Sequence, residues 1–200
     1  MVSVGVYDRY DMMIQVYRTN REQNGFSVIE LAMVCAIAAI IVTAAVPIFQ
    51  STILKSGADS AAQLIVQELS MARAMAISSH GPVRVQFDPV TNSVTVAPGT
   101  GSVRGPFVLP SGITFMSSAP ALDTPDSSGA MLLGTGSHTN VTFLDNGTAA
   151  TDASGTTLCS GTYFLQHANG DAATIRAVTL CGGTGKAHIW KYNPTTNSWN

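Results

Sequence analysis

The sequence predicts an α+β protein: one long N-terminal helix, membrane-spanning in its first half, packed on an antiparallel β-sheet domain. Three observations carry this. From Val28 to Phe49 there is one charge, Glu30, in a run of about 22 residues that is otherwise nearly all Ala, Ile, Val, Leu and Met. At about 1.5 Å per residue such a run crosses a hydrocarbon core of roughly 30 Å. Beyond it, apolar residues recur every three or four positions at Leu54, Ala58, Ala62, Ile65, Leu69, Ala72 and Ala76, which is one face of a helix. After Pro82 the pattern changes to short alternating segments separated by Gly, Asn, Asp and Pro, which are strands and turns.

The apolar run sets the topology. Arg18 and Arg21 precede it, and Lys55 is the first charge after it. The arginines favour a cytoplasmic N-terminus, with the C-terminal bulk outside. Glu30 is the anomaly. A carboxylate at the centre of a bilayer costs on the order of 2.5–3.5 kcal/mol, less near its edge, and no cation lies within one helical turn. It must sit at headgroup depth or find a partner elsewhere.

Gly25-Phe26-Ser27-Val28-Ile29-Glu30, with polar residues before it and an apolar helix behind, resembles the processing site of type IV prepilins and type II secretion pseudopilins. The resemblance implies a pilin-like fold and cleavage by a prepilin peptidase between Gly25 and Phe26, with N-methylation of Phe26. It implies that Glu30 pairs with the Phe26 amine of a neighbouring subunit, and that Pro47 is the helix proline many pilins carry. The expected divisions are a leader (1–25), a transmembrane and assembly helix (26–49), its amphipathic continuation (50–81) and a β-rich domain (82–200). Met12 or Met13 would serve as well as Met1 for the start. An ordinary secretory signal cut after Thr43-Ala44-Ala45 fits less well. Its apolar region should be about 7–15 residues, and a glutamate near its start is out of place. A plain single-pass anchor leaves Glu30 unexplained.

Within the continuation, Lys55, Asp59, Gln63, Gln67 and Arg73 occupy the side opposite the apolar stripe. Pro47 and Gly57 are expected to loosen the helix, and Gly81-Pro82 to end it, with Gly81 taking the left-handed position. Val83–Phe87 and Ser93–Ala97, joined by Asp88-Pro89-Val90-Thr91-Asn92, read as a hairpin. Further strands are expected at 107–109, 113–116, 141–144, 163–167, 173–180 and 187–192. The intervening 117–139 is a Ser-, Pro- and Gly-rich loop interrupted by Met131-Leu132-Leu133.

Of the three cysteines, Cys35 lies in the apolar helix and acts as a small hydrophobe. A three-residue turn at Asn169-Gly170-Asp171 would pair residues equidistant from Gly170. Cys159 and Cys181 are each eleven residues from it, so they would face one another and form a disulfide, fitting an oxidising compartment.

Charged residues are 11% of the chain and the net charge is −2, which excludes a strongly basic nucleic-acid binder. His80, His138, His167 and His188 lack metal-ligand spacing, and there is no nucleophile elbow or P-loop. No catalytic residue, metal or cofactor is expected. Val141–Gly147, Arg176–Leu180 and Gly185-Lys186 look like the GspH/FimT group of minor pilins and pseudopilins, which usually has Gly-Arg at the last of these. The resemblance implies an inner-membrane protein with a periplasmic domain, filament-associated after processing, whose partners are other subunits and a secreted substrate or DNA. Some FimT-type pilins are thought to capture DNA. Here Arg176, Lys186, His188 and Lys191 would be the contacts, with Trp190, Tyr192 and Trp199 for stacking. The competing reading is an edge strand guarded by surface lysines, with Trp190 in the core and Trp199 in an exposed tail.

Overall fold

The computed structural model describes residues 25–117, 120, 124–126 and 140–200. The expected leader up to residue 24, Met131-Leu132-Leu133 and His138 lie outside these residues. The chain divides between Val46 and Pro47 into two units.

Helix α1 is Val28–Ser79, assigned without interruption through Pro47 and Gly57. In the first unit its apolar side chains are exposed: Val28, Ile37 and Ile40 keep 86%, 59% and 72% of their surface. By length and composition this helix can cross a membrane. At the other end the left-handed residue is His80 (φ 49°), not Gly81. The Gly81 N–H returns to the Ala76 carbonyl at 3.2 Å. That is the Schellman closure, with Gly81 one place further out than the sequence suggests.

In the second unit the expected stripe is buried. Ala58, Ala62, Ile65, Leu69, Ala72 and Ala76 have no exposed surface, and Ala61 joins them. Mostly alanine, this face lets strands approach closely. Two five-stranded antiparallel sheets share the core with it. Sheet 1 contains β1 (Val83–Asp88), β2 (Ser93–Pro98), β3 (Arg104–Val108), β5 (Asn140–Phe143) and β6 (Ala149–Ala150), in the order β3-β2-β1-β5-β6. Sheet 2 contains β4 (Ile113–Phe115), β7 (Gly161–His167), β8 (Arg176–Cys181), β9 (Lys186–Asn193) and β10 (Ser198–Trp199), in the order β10-β9-β8-β7-β4. Phe87 of sheet 1 ties the two together. Its ring lies 4.4 Å from that of Tyr163 and edge-on to Phe115 at 5.9 Å. Backbone bonds from Ala149 N–H to Gly182 O (2.8 Å) and from Cys159 N–H to Ala149 O (2.9 Å) join the sheets at a corner.

Two strands escape the sequence reading, β6 and β10, and β8 begins at Arg176 rather than residue 173. The hairpin turns show why β10 forms. Asp88 Oδ1 accepts from the N–H groups of Val90 and Thr91, Asn92 is left-handed, and the hydroxyls of Thr91 and Ser93 meet at 2.8 Å. Asn193, Asn197, Thr196 and Ser198 repeat every part of this: Asn193 Oδ1 accepts from Thr195 and Thr196, and the hydroxyls meet at 2.7 Å. The Asx turn satisfies the loop locally, so a two-residue strand suffices to close it.

The Tyr163 hydroxyl is buried without a hydrogen-bond partner. A buried orphan of this kind costs about 1–3 kcal/mol. Tyr163→Phe is therefore expected to leave stability unchanged or raise it by about 1 kcal/mol in chemical denaturation followed by near-UV circular dichroism. A clear loss would mean the hydroxyl has a partner in solution.

Candidate functional site

The N-terminal site is built from backbone first. Gly25, Phe26 and Ser27 precede the helix in non-helical conformation, and Phe26 is 82% exposed. No side chain or backbone crowds the position where a Cβ of Gly25 would lie. The Gly25–Phe26 bond thus lies outside the helix, between two exposed residues. The Leu31 N–H bonds to Ser27 O at 3.0 Å, so Ser27 opens the helix and Glu30 lies in its first turn. The sequence reading missed this local reason for Glu30. Ser-x-x-Glu has capping-box spacing, and the first turn carries the positive end of the helix dipole. Among the described residues no cation pairs with Glu30.

The four expected DNA contacts do not form one surface. Arg176 and Lys191 are cross-strand neighbours on the core-facing side of sheet 2, and both are committed to Asp59 of α1. Arg176 Nε donates to Asp59 Oδ1 at 2.5 Å, and its Nη1 to the carbonyls of Ala173 and Ile175 at 2.9 and 2.8 Å. Only 4% of that side chain is exposed, so it is a structural cation and not a phosphate contact. Lys191 Nζ takes Asp59 Oδ2 at 2.9 Å. Burial by itself would raise the Asp59 pKa, but hydrogen bonds from Lys191 and Arg176 and their charges outweigh it and hold the carboxyl below its usual value. Lys186 and His188 lie on the opposite face, with Trp190, whose ring meets that of His188 at 4.9 Å. One lysine and one histidine on that face are few for phosphate binding. Trp190 is half-buried on that face and donates from Nε1 to Thr179 Oγ1 at 3.1 Å. Trp199 is no loose tail: it lies in β10 against Tyr192 and Phe164 at 5.5 and 5.9 Å.

The expected disulfide is absent, and the register explains it. β7 and β8 pair Leu165 with Arg176 and Gly161 with Leu180, which is one residue out of step with a turn centred on Gly170. Asp171 caps a single 3-10 turn, Ala172–Thr174, and this lengthens the connection. A one-residue slip sends side chains to the other face. Cys159 is accordingly buried, its thiol pushed up to about 11 by desolvation, while Cys181 is exposed and free. The Cys181 thiol is held below its usual value by hydrogen bonds from Thr184 and Gly183.

Two further polar residues of α1 were read as solvent-facing or not singled out. Arg73 reaches between two turns, its Nε donating to Gly147 O at 3.1 Å. Glu68 is buried with Oε2 unpartnered. The only sequence signal for either is that both flank the apolar stripe. Among the described residues no three His, Cys, Asp or Glu side chains gather to share a metal ion.

Residues 61–183 match the model of the family described as type II transport protein GspH. No curated protein sequence matches. Among solved structures, the type IV minor pilin FimU of Pseudomonas aeruginosa is similar at 17% identity and a TM-score of 0.44, over 71% of this chain and 96% of that one. The minor pseudopilin EpsH of the Vibrio cholerae type 2 secretion system is similar at 15% identity and a TM-score of 0.42, over 67% of this chain and 96% of that one.

Proposed function

The chain belongs to the family of type II transport protein GspH, and from that premise we propose that it is a minor structural subunit of a type II secretion pseudopilus or type IV pilus. It is made as a single-pass inner-membrane protein with its C-terminal domain in the periplasm. Prepilin peptidase cuts it between Gly25 and Phe26 and methylates the new terminus, and it then joins other subunits in a filament. Its work is assembly and not catalysis. One observation carries the reading: an exposed, non-helical Gly25–Phe26 bond stands directly before an apolar helix whose first turn holds Glu30.

In the filament the apolar side chains of 28–46 find their burial against neighbouring helices, which the hydrophobic effect favours at about 25 cal/mol per Å². Cleavage creates an amine at Phe26 that supplies the cation Glu30 lacks among the described residues, and this pair sets axial register. Intact mass and N-terminal sequencing of the protein from its native membrane test the processing. The expected chain starts at N-methylated Phe26, and one starting after Ala45 would end the filament reading. Glu30→Ala is expected to remain in the membrane but to be lost from sheared filaments. The helix-dipole loss alone is about 0.3–1 kcal/mol, too little to unfold the helix, so normal incorporation would remove the assembly role. Loss of protein export on deletion would assign the secretion pseudopilus, and loss of twitching the pilus.

A further inference from the structure

Two Asn-Gly steps lie among the described residues: Asn146-Gly147 between β5 and β6, and Asn169-Gly170 after β7. This dipeptide carries its own chemistry. The Gly nitrogen can close on the Asn Cγ because no Cβ on the glycine obstructs the ring. The N–Cγ bond forms, the Cγ–Nδ2 bond breaks, and ammonia leaves with the proton of the Gly nitrogen. Water then opens the cyclic imide. Opening at Cγ leaves Asp. Opening at the main-chain carbonyl leaves isoaspartate, with the backbone running through Cβ. No electrons change hands, and water is the one co-reactant.

The two steps start from similar hydrogen bonds. Gly147 N–H bonds to Leu144 O and Gly170 N–H to His167 O, both at 2.9 Å. Each Asn Oδ1 accepts from the N–H two residues on, Thr148 or Asp171, at 3.0 Å. Their surroundings differ. Gly147 is buried, and a Cβ there would meet Ile77 Cδ1 at 3.0 Å and Arg73 Nε and Nη2 at 3.3 Å. Its carbonyl is held by Arg73, and the Thr148 hydroxyl adds a bond to Asn146 Oδ1 at 2.7 Å. Ring closure must rotate this peptide, and the packing clamps it. Ala168, Asn169 and Gly170 are all exposed, and nothing lies within 4 Å of the Gly170 Cβ position.

We propose that Asn169 is a self-modification site, converted to isoaspartate in the folded protein as it ages, while the fold keeps Asn146 inert. The product acts beyond its own turn. Asn169 Oδ1 holds the Asp171 N–H, Asp171 Oδ1 holds the Ala173 N–H, and the Ala173 carbonyl accepts from Arg176 Nη1. Isoaspartate lengthens the backbone at the head of this chain of bonds and adds a carboxylate two residues from Asp171. It loosens the support of the guanidinium that pairs with Asp59.

The test is incubation of the full chain in detergent micelles at mildly alkaline pH, with peptide mapping by mass spectrometry over days, in buffer and in strong guanidinium chloride. In buffer, Asn169 is expected to react at least about ten-fold faster than Asn146, because a slow reaction follows the population of the locally open state. In denaturant the two rates are expected to converge. Asn169→Gln should leave that peptide unmodified over the same period. The isoaspartate form, separated by its added charge, is expected to unfold at lower denaturant than fresh protein. Equal rates in buffer would overturn the proposal. So would a rate ratio that persists in denaturant, since the neighbouring residues and not the fold would then set it. An unchanged midpoint for the isoaspartate form would overturn the link to Arg176.

Discussion

Asp59→Ala is expected to lower the stability of the strand-bearing unit by about 3–5 kcal/mol, enough to consume a large part of a typical domain's margin. The loss does not come from the pair with Lys191, whose own side chain is more than half exposed, so that the pair contributes little. It comes from Arg176. With Asp59 gone, a guanidinium that is 4% exposed keeps, among the described residues, the Ala173 and Ile175 carbonyls as partners and no carboxylate. The decisive comparison is the double variant Asp59→Ala with Arg176→Leu, which removes both charges. It is expected to recover most of the loss, because replacing a whole buried pair is often neutral while breaking one is not. Equal losses in the single and double variants would mean that the pair's geometry, not its charge balance, matters. Acid should reproduce the single variant. The Asp59 pKa is depressed in the folded chain, so its stabilisation is complete above the unfolded carboxylate value near 3.8 and is lost as pH falls through the lower folded value. Denaturant midpoints measured by near-UV circular dichroism between neutral and strongly acid pH would show this. Asp59→Asn should flatten that part of the profile.

Gly185→Ala is the second large effect expected. Gly185 has φ of 62°, a region where a side chain costs about 1–2 kcal/mol. A Cβ there would also overlap the Gly147 carbonyl oxygen and press on Arg73 Cδ and Nε at 3.1 Å. The carbonyl is backbone, itself in a turn whose Gly147 has φ of 80°, and it accepts from Arg73. Relief requires two turns from two sheets to separate and the Arg73 contact to break. A total of roughly 3–5 kcal/mol follows from strain and overpacking together. Gly183→Ala, two residues away in the same turn, meets nothing within 4 Å and has no left-handed φ. Its effect should stay within about 0.5 kcal/mol. Similar destabilisation by the two substitutions would refute the packing argument.

How far the sequence reaches is decided by the range of the interaction in question. The helix stripe was legible because helical spacing repeats one local rule, and each expected position from Ala58 to Ala76 is buried. The first hairpin was legible for the same reason, its turn chemistry lying within six residues. The Asp59–Arg176 pair was not, because the partners are 117 residues apart and Asp59 looks from its helix alone like a solvent-side residue. The error at Cys159 and Cys181 is instructive in scale. A single 3-10 turn after Asp171, which the Asn-Gly-Asp run does not announce, moved the register by one residue and separated the thiols. β10 could have been found, since Asn193–Ser198 repeats the spacing of Asp88–Ser93 with the same residue types. At the N-terminal site, Gly25, Phe26 and Glu30 were legible as a short motif. The Ser27 helix start, which gives Glu30 a role inside its own chain, emerged only with the backbone.

The interleaving of the sheets has a consequence for the order in which the chain can fold as it is made. β4 emerges before β5 and β6, yet it pairs with β7, while β5 and β6 return to β1. Sheet 1 can close once about residue 150 is free, because all five of its strands then exist. Until β7 to β9 follow, β4 has no partner, Phe87 has no Tyr163 to rest on and Asp59 has no cation. The nascent domain is therefore half closed, with one flank of its alanine face bare and a lone strand beside it, for the time taken to deliver the last quarter of the chain. Such an intermediate exposes apolar surface and unpaired backbone, and its closure waits on contacts of long sequence separation, the slow kind. Vulnerability to aggregation or proteolysis should accordingly peak late in synthesis.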